Sequence, residues 1–198
     1  MTKRFYLIRH GETDWNALRK FQGQSEVPLN ENGRKQAEEL ALALQGVLPF
    51  DLVVASDLGR AVETAEILCR GYATPIETDP GFREMAFGEW EGLNEKEIRE
   101  RWPADLQKWF DSGDLIAEGG ESQEALYDRV WQSFRRWSDQ ADSLGYEKIA
   151  IVSHGGSGSA LVCAVLGEPP QAMHKYMMGN TGVRVIVVND EGKCSLAP

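Results

Sequence analysis

Twice in this chain an apolar, strand-like run ends abruptly in a histidine followed by glycine. Phe5-Tyr6-Leu7-Ile8 leads into Arg9-His10-Gly11-Glu12-Thr13, and Ile149-Ala150-Ile151-Val152 leads into Ser153-His154-Gly155-Gly156. The sequence holds only three histidines, so two of them stand in matching contexts. A strand that stops at such a group builds a site at the carboxyl edge of a sheet, where open α/β sheets bind their ligands. Imidazole can act as a nucleophile, the arginine can hold an anion, and the glycine lets a ligand approach the backbone. Two units of this kind point to one rim at which His10 and His154 meet. That combination reads as phosphoryl transfer through a phosphohistidine.

The remaining pattern agrees with an α/β fold, because strand-like runs alternate with helical ones. Strands are expected at Arg4–Ile8, Asp51–Ala55, Pro75–Thr78, 148–152, Val183–Val188 and Lys193–Leu196. Asn30 suits a helix N-cap before Glu31–Leu44, where Ala37, Leu40, Ala41 and Leu44 recur at helical spacing. Asp57–Leu68 carries Ala61, Ala65 and Leu68 on one face, and 156–166 and 170–177 also read as helical. Residues 84–92 are rich in glycine and aromatic residues and read as a loop. From about 94 to 143 runs a mainly helical insertion, broken at Trp102-Pro103, Gly113 and Gly119-Gly120. Its last helix, about Ser122–Asp139, places Leu126, Val130, Phe134 and Trp137 on a core face. No linker divides the 198 residues. One domain over 1–198 is expected, a three-layer α/β/α sandwich with a mostly parallel central sheet and the insertion as a cap.

A formal net charge of −10 argues against a nucleic-acid partner, since binding a phosphate backbone needs a basic face. No apolar stretch approaches a membrane span, and the first residues show no signal-peptide pattern. Cys69, Cys163 and Cys194 are scattered and odd in number. They fit reduced thiols in a cytoplasmic protein and lack metal-ligand spacing. No cofactor and no metal are expected. The expected partner is a small molecule rather than a membrane or nucleic acid, and a homodimer is left open.

In order along the chain stand Arg9-His10-Gly11, Asn16, Gln22-Gly23, Ser56-x-x-x-Arg60-x-x-x-Thr64-Ala65, Glu84 and Ser153-His154-Gly155. This succession resembles the histidine phosphatase superfamily, which also contains the cofactor-dependent phosphoglycerate mutases, and the resemblance covers roughly residues 3–189. It implies that His10 is the nucleophile. Arg9 and Arg60 would hold the phosphoryl oxygens with their planar forks of donors, and His154 would donate to the same oxygens. Asn16, Gln22, Gly23 and Gly155 would line the phosphate pocket. Glu84 would give a proton to the leaving group and take one from water. Glu89 and Glu91 offer the same chemistry nearby, but Glu84 holds the family position, and apolar Met85, Ala86 and Phe87 beside it would favour a protonated carboxyl. Glu12 and Thr13 are expected to support the loop, and Ser56 and Thr64 to cap or pack. His174 is expected at the surface, and Trp90, Trp102 and Trp109 in packing, with the lining of a substrate pocket as their alternative.

Two activities in this family share a first half-reaction and differ in what then receives the phosphoryl group. The mutases carry Glu-Arg-His-Tyr-Gly where this chain reads Glu84-Met85-Ala86-Phe87-Gly88. They carry Thr-Gly-Trp in place of Gln22-Gly23-Gln24, and Asn in place of Gly156. Each departure removes a polar grip and favours water as the acceptor. The chain thus resembles the phosphatase branch, which includes alpha-ribazole phosphatases and broad-specificity phosphatases. The resemblance implies a metal-independent phosphomonoesterase of the histidine acid phosphatase type. An arginine that some of that branch carry after the second His-Gly is missing from Ser157-Gly158-Ser159. The cap residues Trp102, Trp109, Phe110, Asp111 and Asp114 suit a small organic phosphate. The alternatives are a mutase and a non-catalytic phosphate-binding protein of the same fold.

Overall fold

The computed structural model describes residues 2–113 and 117–197, so Asp114 of the expected cap lies outside the described residues. Six strands form one sheet: β1 (Lys3–Arg9), β2 (Leu52–Ala55), β3 (Ile76–Thr78), β4 (Lys148–Ser153), β5 (Val183–Val188) and β6 (Cys194–Leu196). Their spatial order is β3-β2-β4-β1-β5-β6. Strands β3, β2, β4 and β1 are mutually parallel, β5 is antiparallel to β1, and β6 is antiparallel to β5. The helices are α1 (Asp14–Ala17), α2 (Glu31–Ala43), α3 (Gly59–Leu68), α4 (Glu95–Arg101), α5 (Pro103–Ser112), α6 (Gln123–Leu144) and α7 (Gly155–Leu166).

The central strands are apolar on both faces, as strands covered on both sides must be. Side chains alternate across a strand, so Phe5, Leu7, Ile149 and Ile151 share one face with Phe134 of α6 and Leu161 of α7. Ile8, Ala150 and Val152 share the other with Ala61, Ala65 and Leu68 of α3, and Leu40 and Leu44 pack there from α2 and its C-terminal end. This is the expected three-layer sandwich with a mostly parallel sheet.

Register decides where the site falls. In the parallel β1/β4 pair, Arg9 stands opposite Ser153, so the next residues of each strand, His10 and His154, emerge side by side. Ala55 stands opposite Val152, which sets Ser56 one strand further along the same edge.

The insertion is less uniform than expected. Only α4 and α5 stand apart, around a small core of Trp90, Ile98 and Leu106 with Phe21, Phe87, Trp102 and Trp109 packed on it. The long amphipathic α6 lies against the sheet, because its buried stripe of Leu126, Val130, Phe134, Trp137 and Ala141 belongs to the main core. Two local differences have clear causes. α3 starts at Gly59 and not at Asp57, since Asp57 pairs with Arg83 and Ser56 turns to His154. The helical piece near 170 is a 3-10 helix, Pro170–Tyr176, entered through two prolines. Among the described residues no helix is long and apolar enough to cross a membrane.

Candidate active site

A cleft of about 490 Å³ opens at the carboxyl edge of β1 and β4. Arg9, His10, Asn16, Gln22, Gly23, Arg60, Glu84 and Gly155 all line it, so eight of the nine expected site residues face one space. The ninth, His154, is fully buried behind it, with its ring centroid 5.0 Å from that of His10.

His10 is almost fully buried. Its Nδ1 lies 2.6 Å from the carbonyl oxygen of Gly11. A carbonyl only accepts, so Nδ1 carries the proton and Nε2 keeps its lone pair free. Burial, then the charges of Arg60 and Arg9, hold the His10 pKa well below its ordinary 6.5. The ring is therefore neutral at physiological pH, which is the form that attacks an electrophile.

Arg9 follows β1 directly. Its Nη1 donates to the Met178 carbonyl at 2.6 Å, while Nε is buried without a partner among the described residues. Arg60 enters on the first turn of α3 and is fully buried. Its Nη1 donates to Ser25 O at 2.8 Å and its Nη2 to Gly23 O at 2.7 Å. Burial is the main influence lowering the pKa of both, Arg60 to about 10, and the charge of Glu84 partly offsets this for each. Both remain cations at neutral pH.

Arginine only donates, so Arg60 Nε at 3.2 Å gives its hydrogen to His154 Nδ1. Nε2 of His154 then donates to Ser56 Oγ at 2.8 Å. Both ring nitrogens are engaged. A direct bond from His154 to a phosphoryl oxygen requires one of these partners to be exchanged, whereas the bond to Arg60 already aims that guanidinium. Ser56, expected only to cap or pack, takes up the second ring nitrogen of His154, whose tautomer Arg60 sets.

The two amides are oriented by what holds their oxygens. Asn16 Oδ1 accepts from Asn180 Nδ2 at 3.2 Å and from Thr13 N at 3.1 Å, and Gln22 Oε1 accepts from Thr13 Oγ1 at 2.8 Å. The NH2 groups are what remain for an anion. Thr13 supports the loop as expected, and also N-caps α1. Gly11 serves a different purpose from the one expected: a Cβ there would lie 2.3 Å from the Gly33 carbonyl oxygen, so its closeness is to α2 and not to the cleft.

Glu84 sits at the start of α7. Its carboxylate accepts from Gly156 N at 2.9 Å, Ser157 N at 3.0 Å and Met85 N at 2.8 Å. The carboxyl thus faces backbone N–H groups rather than the apolar side chains next to it in sequence. Glu91 is occupied elsewhere: it accepts from Gln24 N, Phe87 N and Ser25 Oγ and ties the Gln22–Ser25 turn to the Glu84 loop. Glu89 is exposed and does not line the cleft. Among the described residues no three His, Cys, Asp or Glu side chains cluster as a metal site.

The outer cleft adds Arg19, Lys20, Phe21, Phe87, Trp109 and Met177. Trp109 lines it, whereas Trp90 is buried beneath and Trp102 packs on the cap core. His174 is exposed, as expected, but stands at the mouth. Asn180 escaped sequence reasoning. It donates to His10 O at 3.0 Å as well as to Asn16, from a turn 170 residues away in the chain.

Two expected outcomes arise here. A Cβ on Gly156 would lie 2.5 Å from Glu84 Oε1. Gly156→Ala is expected to push the carboxyl off α7 and to lower kcat/KM for an alkyl phosphate about tenfold, near 1.4 kcal/mol, without unfolding the protein. Steady-state kinetics beside a thermal melt checks this. The second concerns pH. His10 and His154 both titrate well below 6.5 when folded, chiefly through burial. The unfolded chain binds protons first as pH falls, so stability is full above about 6.5 and declines as pH drops from there toward the folded values. Tm should fall between pH 7 and 5, and less steeply in His154→Gln than in the wild type; equal slopes would contradict the assignment.

An open, mostly parallel α/β sheet with two arginines and two histidines converging at its carboxyl rim defines a phosphate-handling α/β protein. The chain belongs to the histidine phosphatase superfamily (branch 1), whose model matches residues 5–197. It is 32% identical over 189 residues to the adenosylcobalamin/alpha-ribazole phosphatase of Escherichia coli, covering 95% of this chain and 91% of that protein. It is 39% identical over 194 residues to phosphoglycerate mutase-like protein 4 of Arabidopsis thaliana, covering 96% and 81%. Among solved structures, the phosphoserine phosphatase of Entamoeba histolytica in complex with 3-phosphoglyceric acid superposes with a TM-score of 0.85 at 29% identity, covering 99% of this chain and 95% of that one. These likenesses support phosphatase activity.

Proposed function

We propose that the protein is a metal-independent phosphomonoesterase that hydrolyses a small organic phosphate through a phosphohistidine on His10. The observation that carries this reading is the orientation of His10: Nδ1 is committed to Gly11 O, and the free Nε2 stands in a cleft shared with Arg9 and Arg60. In the first step the Nε2 lone pair forms the N–P bond while the P–O bond to the leaving group breaks. Glu84 gives the leaving oxygen its proton. Arg9 and Arg60 hold the other phosphoryl oxygens, Asn16 and Gln22 donate from their NH2 groups, and His154 keeps Arg60 aimed. In the second step water attacks phosphorus, its proton passes to Glu84, and the N–P electron pair returns to Nε2. The products are an alcohol and inorganic phosphate. The arginines supply the positive field that such a transition state needs. Acidic overall charge and a cleft of about 490 Å³ favour a small-molecule partner over nucleic acid, and the free cysteines Cys69, Cys163 and Cys194 suit the cytoplasm.

Phosphate release from a panel of phosphomonoesters in the presence of chelator tests this reading. Alpha-ribazole phosphate, phosphoserine and 3-phosphoglycerate belong in it, since related proteins bear the names of such compounds. Release from one or more compounds is expected. Activity abolished by chelator would remove the metal-independent mechanism, and interconversion of phosphoglycerates without phosphate release would make the protein a mutase.

A further inference from the structure

Residues 80–86, which carry Glu84, lie outside the sheet and contain only one short turn of 3-10 helix, Pro80–Phe82. Their carbonyl oxygens converge on a single side chain of α6. Arg129 Nη1 donates to Gly81 O at 2.9 Å and Arg83 O at 3.0 Å, with Pro80 O at 3.4 Å. Its Nη2 reaches Glu84 O at 3.3 Å. The guanidinium is itself gripped by Glu121, Nε to Oε1 at 2.9 Å and Nη2 to Oε2 at 2.8 Å. Glu121 then closes the ring. Its Oε2 accepts from Ala86 N at 3.3 Å, and its own N–H donates to Ala86 O at 2.9 Å. Neither Arg129 nor Glu121 lines the cleft, and the mechanism above uses neither.

We propose that Arg129, oriented by Glu121, is a positioning residue that sets the reach of Glu84. The inference rests on the reading of Glu84 as the proton donor. Two anchors act on one residue: the amide N–H groups at the start of α7 hold the carboxyl group, and Arg129 holds the backbone behind it. A planar fork spreads five donors over a carboxylate and several carbonyls at once, whereas lysine directs three from a single nitrogen. Without it the carbonyls of Gly81 and Arg83 lose their donor, and the segment is free to shift. A displacement of 1 Å in a catalytic group costs on the order of 10²-fold in rate.

The experiment compares Arg129→Met, Arg129→Lys and Glu121→Gln with the wild type on an alkyl phosphate and on 4-nitrophenyl phosphate. Because kcat/KM reports transfer to His10, it senses protonation of the leaving group. Arg129→Met is expected to lower kcat/KM for the alkyl ester about 10²-fold and for the activated ester only a few-fold. Lysine should restore little, and Glu121→Gln should give the same selective loss in weaker form. In a Glu84→Gln background, Arg129→Met should add almost nothing to the alkyl loss, since the two residues act as one unit. Equal losses on both esters, or full additivity with Glu84→Gln, would overturn the proposal. A Glu84→Gln enzyme that itself treats the two esters alike would remove the acid reading and this proposal with it. If Arg129→Met does not fold, the same comparison on Arg129→Lys and Glu121→Gln decides.

Discussion

His10→Ala is expected to lose turnover by at least about 10⁴-fold, or some 5.5 kcal/mol of barrier, together with every trace of an acid-labile phosphoenzyme. The size of the effect follows from geometry. Among the described residues at the base of the cleft, His10 is the ring with an unengaged nitrogen, since His154 has both of its nitrogens committed and His174 stands exposed at the mouth. No other side chain at the base of the cleft offers a lone pair of that nucleophilicity. Rapid-quench labelling with a ³²P-substrate, followed by acid and base treatment, distinguishes the outcomes. Retained turnover without the phosphoenzyme would mean direct attack by water and would end the two-step mechanism. The variant should fold, because an alanine there leaves the backbone bond from His10 N to Ser153 O intact.

Glu84→Gln is expected to lower kcat/KM by about 10²- to 10³-fold for an alkyl phosphate and by less than about tenfold for 4-nitrophenyl phosphate. An alkoxide leaves poorly without a proton, whereas a nitrophenolate leaves unaided. Glutamine keeps the shape of the carboxyl, but its NH2 only donates, so one of the two N–H groups, Gly156 N or Ser157 N, loses its acceptor. The variant therefore also tests the docking at α7. Its phosphoenzyme should accumulate with the activated ester, because the water of the second step has lost its base. Equal losses on both esters, without accumulation, would transfer the acid role to another group. Glu91 is a poor substitute, since its carboxylate is spent on the Gln22–Ser25 turn.

What could be read from residues alone follows from how each feature is encoded. The two histidines were legible because each ends an apolar run, and parallel strands in register deliver such ends to one edge. The helix of Arg60 was legible from its spacing. The support around these residues was not. Arg129 meets the Glu84 segment from 45 to 49 residues away, and Asn180 meets His10 from 170. Such contacts are made by tertiary packing and leave no local period. The boundary of the cap is hidden in the sequence for a related reason. Residues 94–143 are mainly helical in pattern on both sides of their breaks, and only the three-dimensional core shows that α6 belongs to the sheet and α4 and α5 do not. The surroundings of Glu84 differ from the expected ones because sequence neighbours are not spatial neighbours. Met85, Ala86 and Phe87 are apolar, but the helix that begins at Gly155 brings the polar contacts.

The separate small core beneath α4 and α5 has a consequence for how such a protein can change. The two buried histidines stand at the ends of two adjacent strands, whose pairing the main core holds. The aromatic side chains of the outer cleft, Phe21, Phe87 and Trp109, rest instead on the small core of Trp90, Ile98 and Leu106. Substitutions in the second need not disturb the first. Repacking Trp90, Ile98, Leu106 and their neighbours can thus reshape the outer cleft, while the strand ends that carry His10 and His154 keep their register.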